Sequence, residues 1–482
     1  MHIFIYILVG IAALLALFLA VILCRTLAFR PKAPIGAEQD EIFFDKDGAV
    51  NALRTLVRFP TVSYSDPALE DESAFRALID SLPSLYPHVF GHCSFEELED
   101  RALLFHLKGK ESGDPTVLMA HFDVVPVSEE SWEKPPFSGE LVNGVLWGRG
   151  TLDTKVTMNA ALYALNTLLA SGFVPQNDIY LAFSGNEEVN GQGAVRIVDY
   201  FEANGITPGL VVDEGGAVVE DVFPGVKAPC AMIGIAEKGM MNVAYATKSN
   251  GGHASAPKPH TPVGVLARAC TRVESDPFPL HISRPVAEMF DTLGRHSTFL
   301  YRMIFANLWC FKGLLNGLCK RTGGELNALL RTTVAFTQMQ GSTAVNVIPP
   351  EAEMVSNIRL NPLDTVDGAL SRLQKTVNDE NVTVSVLYGA EPSRISETDC
   401  DAYRRVASAV ASTWRGTLVT PYLMMQCSDS RHYGRISDRV YRFSAMDLTR
   451  EERASIHGHN ERIRVETVYR SVEFYLRLLK HS

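Results

Sequence analysis

Three short apolar runs constrain the fold of this chain most: 116–120 (TVLMA), 178–184 (DIYLAFS) and 209–212 (GLVV). Between the first two, Met158, Ala161, Leu162, Leu165, Leu168 and Leu169 fall on one face of a helix over 155–171, and Gly172 is placed to end it. Strands alternating with a helix predict an α/β domain with a mainly parallel sheet covered by helices. From about 237 the texture changes. The spacing predicts strands at 238–247, 331–340, 352–360 and 381–389 and helices at 261–275 and 364–377, a smaller α+β unit. A helix at 400–413 and the closing segments then return to the first unit. We expect a main domain built from 45–237 and 391–482, with a smaller domain inserted over 238–390. An apolar insertion lies at about 281–330. Its greasiest part, 299–318, is expected to serve the smaller domain's core rather than to face lipid.

With 482 residues the chain exceeds one ordinary core, so two domains are the natural division. The net charge is -10 and no Lys/Arg-rich stripe occurs, which argues against a nucleic-acid partner. The eight cysteines form no CxxC pair, so neither a zinc ribbon nor a disulfide framework is indicated. The one Asn-x-Thr sequon, at Asn381, is weak grounds for secretion.

The N-terminus differs from the rest. From Ile3 to Cys24 there is neither a charge nor a proline, a run long enough to cross a bilayer, which takes about 20 residues. A cleaved signal peptide is the rival reading, but its apolar region would be shorter and followed by a small-residue cleavage site. Leu23 also spoils a lipoprotein-type site at Cys24. We therefore expect a transmembrane anchor over 1–30 and a linker over 31–44. Arg25, Arg30 and Lys32 follow the run, and the positive-inside rule puts what comes after them in the cytoplasm.

Polar clusters follow each predicted strand. His121 and Asp123 end the first, Glu187 and Glu188 follow the second, and Asp213 and Glu214 follow the third; Asp153 precedes the 155–171 helix. Ligands of open α/β sheets gather beyond the carboxyl ends of strands, so these groups can converge. Imidazole and carboxylate donors together suit Zn²⁺, with Mn²⁺ or Co²⁺ as alternatives. The candidate ligands are His121, Asp153, Glu188, Asp213 and His457. With two ions side by side, Asp153 is our choice to bridge them. Such a pair activates a water and polarises a carbonyl. Glu187, pointing away from its neighbour Glu188, is the candidate general base. Asp123 is expected to accept the other ring N–H of His121 and fix its tautomer.

The motifs HFDVVP, GRGTLDTK, EE, VVDEGG, GGHASAP, NVIPPEAE and HGHNE occur here in the order of the co-catalytic zinc aminoacylase/carboxypeptidase family, and the chain resembles its carboxypeptidase S branch. The resemblance runs from about 45 to the C-terminus. It implies a zinc-hydrolase catalytic domain and makes the inserted domain a lid and dimerisation unit, hence a homodimer. It implies two Zn²⁺ ions per subunit on the five ligands above. It also gives His253 a role in stabilising the oxyanion, often across a dimer, Arg359 a grip on the substrate carboxylate, and Asn346 a place beside the substrate. A cis peptide is implied at Asp153–Thr154. Thr154 and Asn186 depart from the commonest family residues, and neither removes a ligand. The compartments of such relatives, secretory or vacuolar, conflict with the charge-based topology.

The function expected is hydrolysis of the amide bond of an N-acyl amino acid or peptide with a free carboxylate. A short-acyl or dipeptide hydrolase is the alternative. A di-metal phosphoesterase would need a glycine-rich or cationic cradle that the sequence lacks. An inactive binding protein that kept the fold would tend to have lost the base or a ligand, and all are present.

Overall fold

The computed structural model describes residues 2–221, 223 and 225–482. Runs rich in Val, Ile, Leu and Phe form the centre of the molecule because both faces of their sheet are covered. Asn177–Ser184 is buried along its last six residues, as an alternating half-exposed strand would not be. In chain order the strands of the large sheet are β1 (Ser94–Leu98), β2 (Ala102–Leu107), β3 (Glu111–His121), β4 (Asn177–Ser184), β5 (Leu210–Val219) and β6 (Cys230–Glu237). The smaller domain then contributes β7 (Gly239–Lys248), β8 (Thr333–Gln340), β9 (Glu351–Leu360) and β10 (Thr383–Ala390). The chain returns to the large sheet with β11 (Leu418–Met424) and β12 (Val440–Leu448).

The large sheet runs β1-β2-β4-β3-β5-β12-β6-β11. Its centre, β4-β3-β5-β12, is parallel, whereas β1 and β2 join it antiparallel. Helices Lys46–Val57, Lys155–Ala170, Asp401–Thr413 and Val465–Lys480 cover one face, packing around Phe105, Leu118, Phe122, Leu181 and Phe183. The smaller domain is an antiparallel sheet, β8-β9-β7-β10, with helices Pro262–Ser275 and Val366–Val377 on it. Its core, including Met241, Tyr245, Leu266, Ile358 and Leu373, is separate from that of the large sheet.

Two expectations change. The 299–318 segment is not part of the smaller domain's core. It folds as helices Phe299–Ala306 and Leu308–Thr322, whose buried Phe305, Leu315 and Cys319 join Phe223, Met232, Leu423 and Met446 of the large domain. An apolar run takes whichever uncovered apolar surface is adjacent, and here that is the outer face of β5, β6 and β11. The third predicted strand also does not stop at 212. β5 continues through Asp213 and Glu214 to Val219, pairing with β12 on either side of a bulge at Glu214 and Gly215.

At the N-terminus, His2–Ala28 is one helix. Its stretch Ile3–Ala28 is long and apolar enough to cross a membrane and is almost wholly exposed.

Candidate metal centre

The polar clusters meet beyond the ends of three adjacent strands, β4, β3 and β5. His121 is the last residue of β3 and is buried. Its Nε2 lies 3.0 Å from Asp153 Oδ1 and 3.5 Å from Glu214 Oε1. Its Nδ1 faces the other way, 3.0 Å from the backbone oxygen of Asp123 and 3.3 Å from Asp123 Oδ1. Asp123 is fully buried, and its two carboxylate oxygens accept the backbone N–H groups of Glu187 and Glu188 at 3.1 and 3.2 Å. Asp123 therefore sets the imidazole chiefly through its backbone oxygen, not through its carboxylate as expected, while the carboxylate pins the single turn Glu187–Val189 that follows β4.

On the opposite side stands His457, which follows the short helix Arg450–Ser455 in a left-handed backbone conformation. Its Nε2 lies 3.0 Å from Asp153 Oδ2 and 3.2 Å from Glu188 Oε2. Asp153 thus offers one oxygen to each of two nests, His121 with Glu214 and His457 with Glu188. The Asp153–Thr154 peptide is cis. Glu187 adjoins the first nest: donor atoms of His121, Glu187 and Glu214 all lie within 4.8 Å of one another.

Asp213 is not in this cluster. Along a strand, successive side chains point to opposite faces. The ladder to β12 breaks just after Asp213, which pairs with Arg442, and resumes at Gly216; in this bulge Glu214 turns toward His121 while Asp213 turns away. Asp213 Oδ2 accepts the Ser430 N–H at 3.0 Å. The motif VVDEGG carries both acids, and no spacing within it says which faces the site.

Four carboxylates, Asp153, Glu187, Glu188 and Glu214, face two imidazoles. Burial pushes the Glu187 carboxyl well above the usual range, against the pull of His121 and with the charges of Asp429, Glu214 and Glu188 adding to it. Glu214 is raised to about 8, by burial first and by Asp153 next. Hydrogen bonds to Asp153 and Glu188 raise His457 to about 10. These directions describe a negative cluster short of positive charge. Glu188 Oε1 is buried with no hydrogen-bond partner among the described residues. A desolvated carboxylate oxygen without a donor is unfavourable unless a cation faces it. Donor type, charge and this orphaned oxygen together fit divalent cations.

Buried ion pairs hold the cluster from behind. Glu461 Oε1 accepts the backbone N–H groups of Leu152 and Asp153 at 2.7 and 3.3 Å, and its Oε2 takes Arg149 Nη1 at 2.6 Å. Arg149 Nη2 also donates to the Gly458 carbonyl. The Asp153 loop and the His457 loop are thereby clamped together. Beside them, Asp429 accepts the Ser184 hydroxyl at 2.5 Å. Sequence reasoning assigned no role to Arg149, Glu461, Asp429 or Glu214. Arg149 and Glu461 lie inside the quoted motifs, which was the available signal.

The cluster closes one end of a cavity of about 810 Å³. Val219, Phe223, Met289, Leu329, Met446 and Leu448 make much of it apolar. Glu325, Arg450 and Arg453 also line it and border a wider polar basin. Arg359, on β9, reaches the cavity wall from the smaller domain, its Nη1 3.5 Å from Sγ of Cys427. His253 and Asn346 are not brought to the cavity within this chain. Both are exposed at the tip of the smaller domain, where the Ala254 N–H donates to the Asn346 carbonyl and His253 Nδ1 contacts the Ser255 hydroxyl.

A sequence model of the peptidase family M20/M25/M40 matches residues 117–481. An N-fatty-acyl-amino acid synthase/hydrolase of Xenopus tropicalis is 36% identical over 439 residues, covering 90% of this chain and 85% of that protein. A probable carboxypeptidase S-like protein of Dictyostelium discoideum is 33% identical over 438 residues, covering 89% and 84%. In fold, the chain is similar to an M20 family metallo-carboxypeptidase of Sulfolobus solfataricus, with a TM-score of 0.65, 18% identity, and 90% and 98% of the two chains covered.

Proposed function

Since the chain belongs to peptidase family M20/M25/M40 and is a hydrolase of the metallopeptidase and aminoacylase type, we propose that it is a membrane-anchored, two-metal amidohydrolase cleaving N-acyl amino acids with a free carboxylate. The observation that carries this reading is the position of the two-nest cluster at the end of a largely apolar cavity. An acyl chain fits such a cavity, and each buried methylene contributes about 0.8 kcal/mol. The similarity to an N-fatty-acyl-amino acid synthase/hydrolase supports the same substrate class.

His121, Asp153 and Glu214 would hold one ion, and Asp153, Glu188 and His457 the other, with Zn²⁺ first and Mn²⁺ or Co²⁺ as alternatives. When bound, the pair supplies Lewis acidity and a nucleophile from water at neutral pH. Glu187 takes the proton of the attacking water at its carboxylate and returns it to the leaving nitrogen. Asp123 keeps His121 oriented, and Arg359, beside Cys427 at the cavity wall, would grip the substrate carboxylate. His253 and Asn346, exposed at the tip of the lid, would complete the site of a second subunit in a homodimer. The apolar N-terminal helix is the anchor.

The test is hydrolysis of N-acyl amino acids and dipeptides by the purified full chain, with and without a chelator. Chelator-sensitive release of the amino acid from acyl substrates is expected. Turnover of dipeptides alone would favour the short-substrate alternative, and no turnover of either would favour a binding protein.

A further inference from the structure

We propose that the exposed face of helices Phe299–Ala306 and Leu308–Thr322 inserts into the membrane surface beside the N-terminal helix, docking this side of the molecule on the bilayer. The proposal rests on the reading of the N-terminal helix as an anchor, and adds a second membrane contact to it.

The carrying observation is where the two elements touch. Near the end of the N-terminal helix, Arg25 donates through its guanidinium to the Ala306 carbonyl at 3.1 Å, and Asn307 Nδ2 donates to the Ile22 carbonyl and the Thr26 hydroxyl. Further in, Phe18 meets Trp309 edge to face, with ring centroids 5.7 Å apart. Phe18 lies seven residues before Arg25, about 10 Å along a helix axis. Arg25 is the first charge after the apolar run and belongs at the headgroup level. A side chain in contact with Phe18 then sits about 10 Å deeper, below the headgroups. Trp309 cannot keep its contact with a membrane-spanning helix and remain in water.

The rest of this face has the composition that such a position needs. Phe299, Leu300, Leu314 and Leu318 are exposed, as is Trp309 at 57%. No Asp or Glu occurs between Asp291 and Glu325, whereas Lys312, Lys320 and Arg321 do. An apolar face flanked by cations alone fits an interface carrying anionic lipid. The opposite face is already used: Phe305 packs on Phe223, centroids 4.7 Å apart, and Phe223 lines the cavity. One layer of side chains therefore separates the inserted face from the cavity that receives the acyl chain. A substrate that partitions into the bilayer would meet the enzyme there.

The test uses the full chain in phosphatidylcholine vesicles containing phosphatidylserine, with brominated lipids as quenchers of tryptophan fluorescence. The chain has four tryptophans. The expected result is co-flotation with the vesicles and lipid quenching that Trp309→Phe abolishes. Leu314→Ser with Leu318→Ser should still co-float and turn over a soluble short-acyl substrate normally, while losing several-fold in turnover of a long-acyl substrate dissolved in the vesicles. Equal quenching of wild type and Trp309→Phe in co-floating protein overturns the docking and leaves the anchor standing. Failure of the full chain to co-float overturns the anchor and the docking together. A co-floating dimer whose Trp309 is shielded from lipid assigns this face to a second copy and also overturns the proposal.

Discussion

Glu214 places its Oε1 3.5 Å from Nε2 of His121, on the side of that imidazole that faces Asp153. Its neighbour Asp213 instead accepts the Ser430 N–H. The nest around His121 is therefore completed by the second acid of VVDEGG. Glu214→Gln is expected to lose about half of the bound metal and most turnover. Asp213→Asn should keep the metal and show a lowered thermal midpoint, because its contact is to the loop carrying Ser430. Metal analysis of the two purified variants checks this; the opposite pattern would return the ligand role to Asp213.

The glutamate pair should separate metal binding from turnover. Glu188 touches His457 and has an orphaned buried oxygen, so Glu188→Ala should lose metal. Glu187→Gln should retain it and lose turnover by more than the roughly 10²–10⁴ of general base catalysis, since nucleophile generation fails too. Near-normal turnover in metal-loaded Glu187→Gln would remove it from the role of base.

The clamp behind the site makes a stability prediction. Glu461→Gln leaves Arg149 as a buried charge without its carboxylate, a loss of about 3–5 kcal/mol for a broken buried pair. It also weakens the two N–H contacts that hold the Asp153 loop. Denaturant titration and metal affinity should both fall, and an unchanged midpoint would mean that the pair contributes little to either.

Arginine presents a planar fork to a carboxylate that lysine cannot reproduce. Arg359→Lys should raise KM strongly for N-acyl amino acids and much less for the corresponding amides. On wild type, kcat/KM should climb with acyl length until the cavity is full. Equal losses on acid and amide would remove Arg359 from that role, and a flat chain-length profile would favour the short-acyl alternative.

Lys238 gives a pH prediction away from the metal site. It lies at the entry to the smaller domain, donating to the carbonyls of Ala328 and Arg331, and burial, with Arg359 adding, lowers it to about 7. The unfolded chain keeps this proton up to about pH 10. Between about 7 and 10 the unfolded state therefore binds more protons, so this residue's contribution to stability rises with pH across that window, by at most about 1.4 kcal/mol per unit. Lys238→Met should flatten the rise. Parallel stability–pH curves for the two proteins would refute the assignment.

Local signals carried the reading far. The runs before His121 and after Asn177 became β3 and β4, and the 155–171 periodicity became Lys155–Ala170, because each pattern depends on residues a few positions apart. The polar residues after those strands were visible for the same reason, as were His457 and Asp153.

What the sequence determined by itself was thus the kind of elements and the chemistry at their ends. Tertiary structure decided three further things. The choice between Asp213 and Glu214 depended on where the pairing of β5 with β12 breaks: Asp213 still pairs with Arg442, the ladder resumes at Gly216, and Glu214 sits in the bulge between them. The Arg149–Glu461 clamp joins residues 312 apart, and although each lies in a motif, nothing local pairs them. The apolar 299–318 run looks the same whichever surface buries it; it went to the large domain because Phe223, Met232 and Met446 lie uncovered there, and its remaining face was left beside Phe18. Periodicity reports that a side chain will be buried, and only the packed chain determines against what.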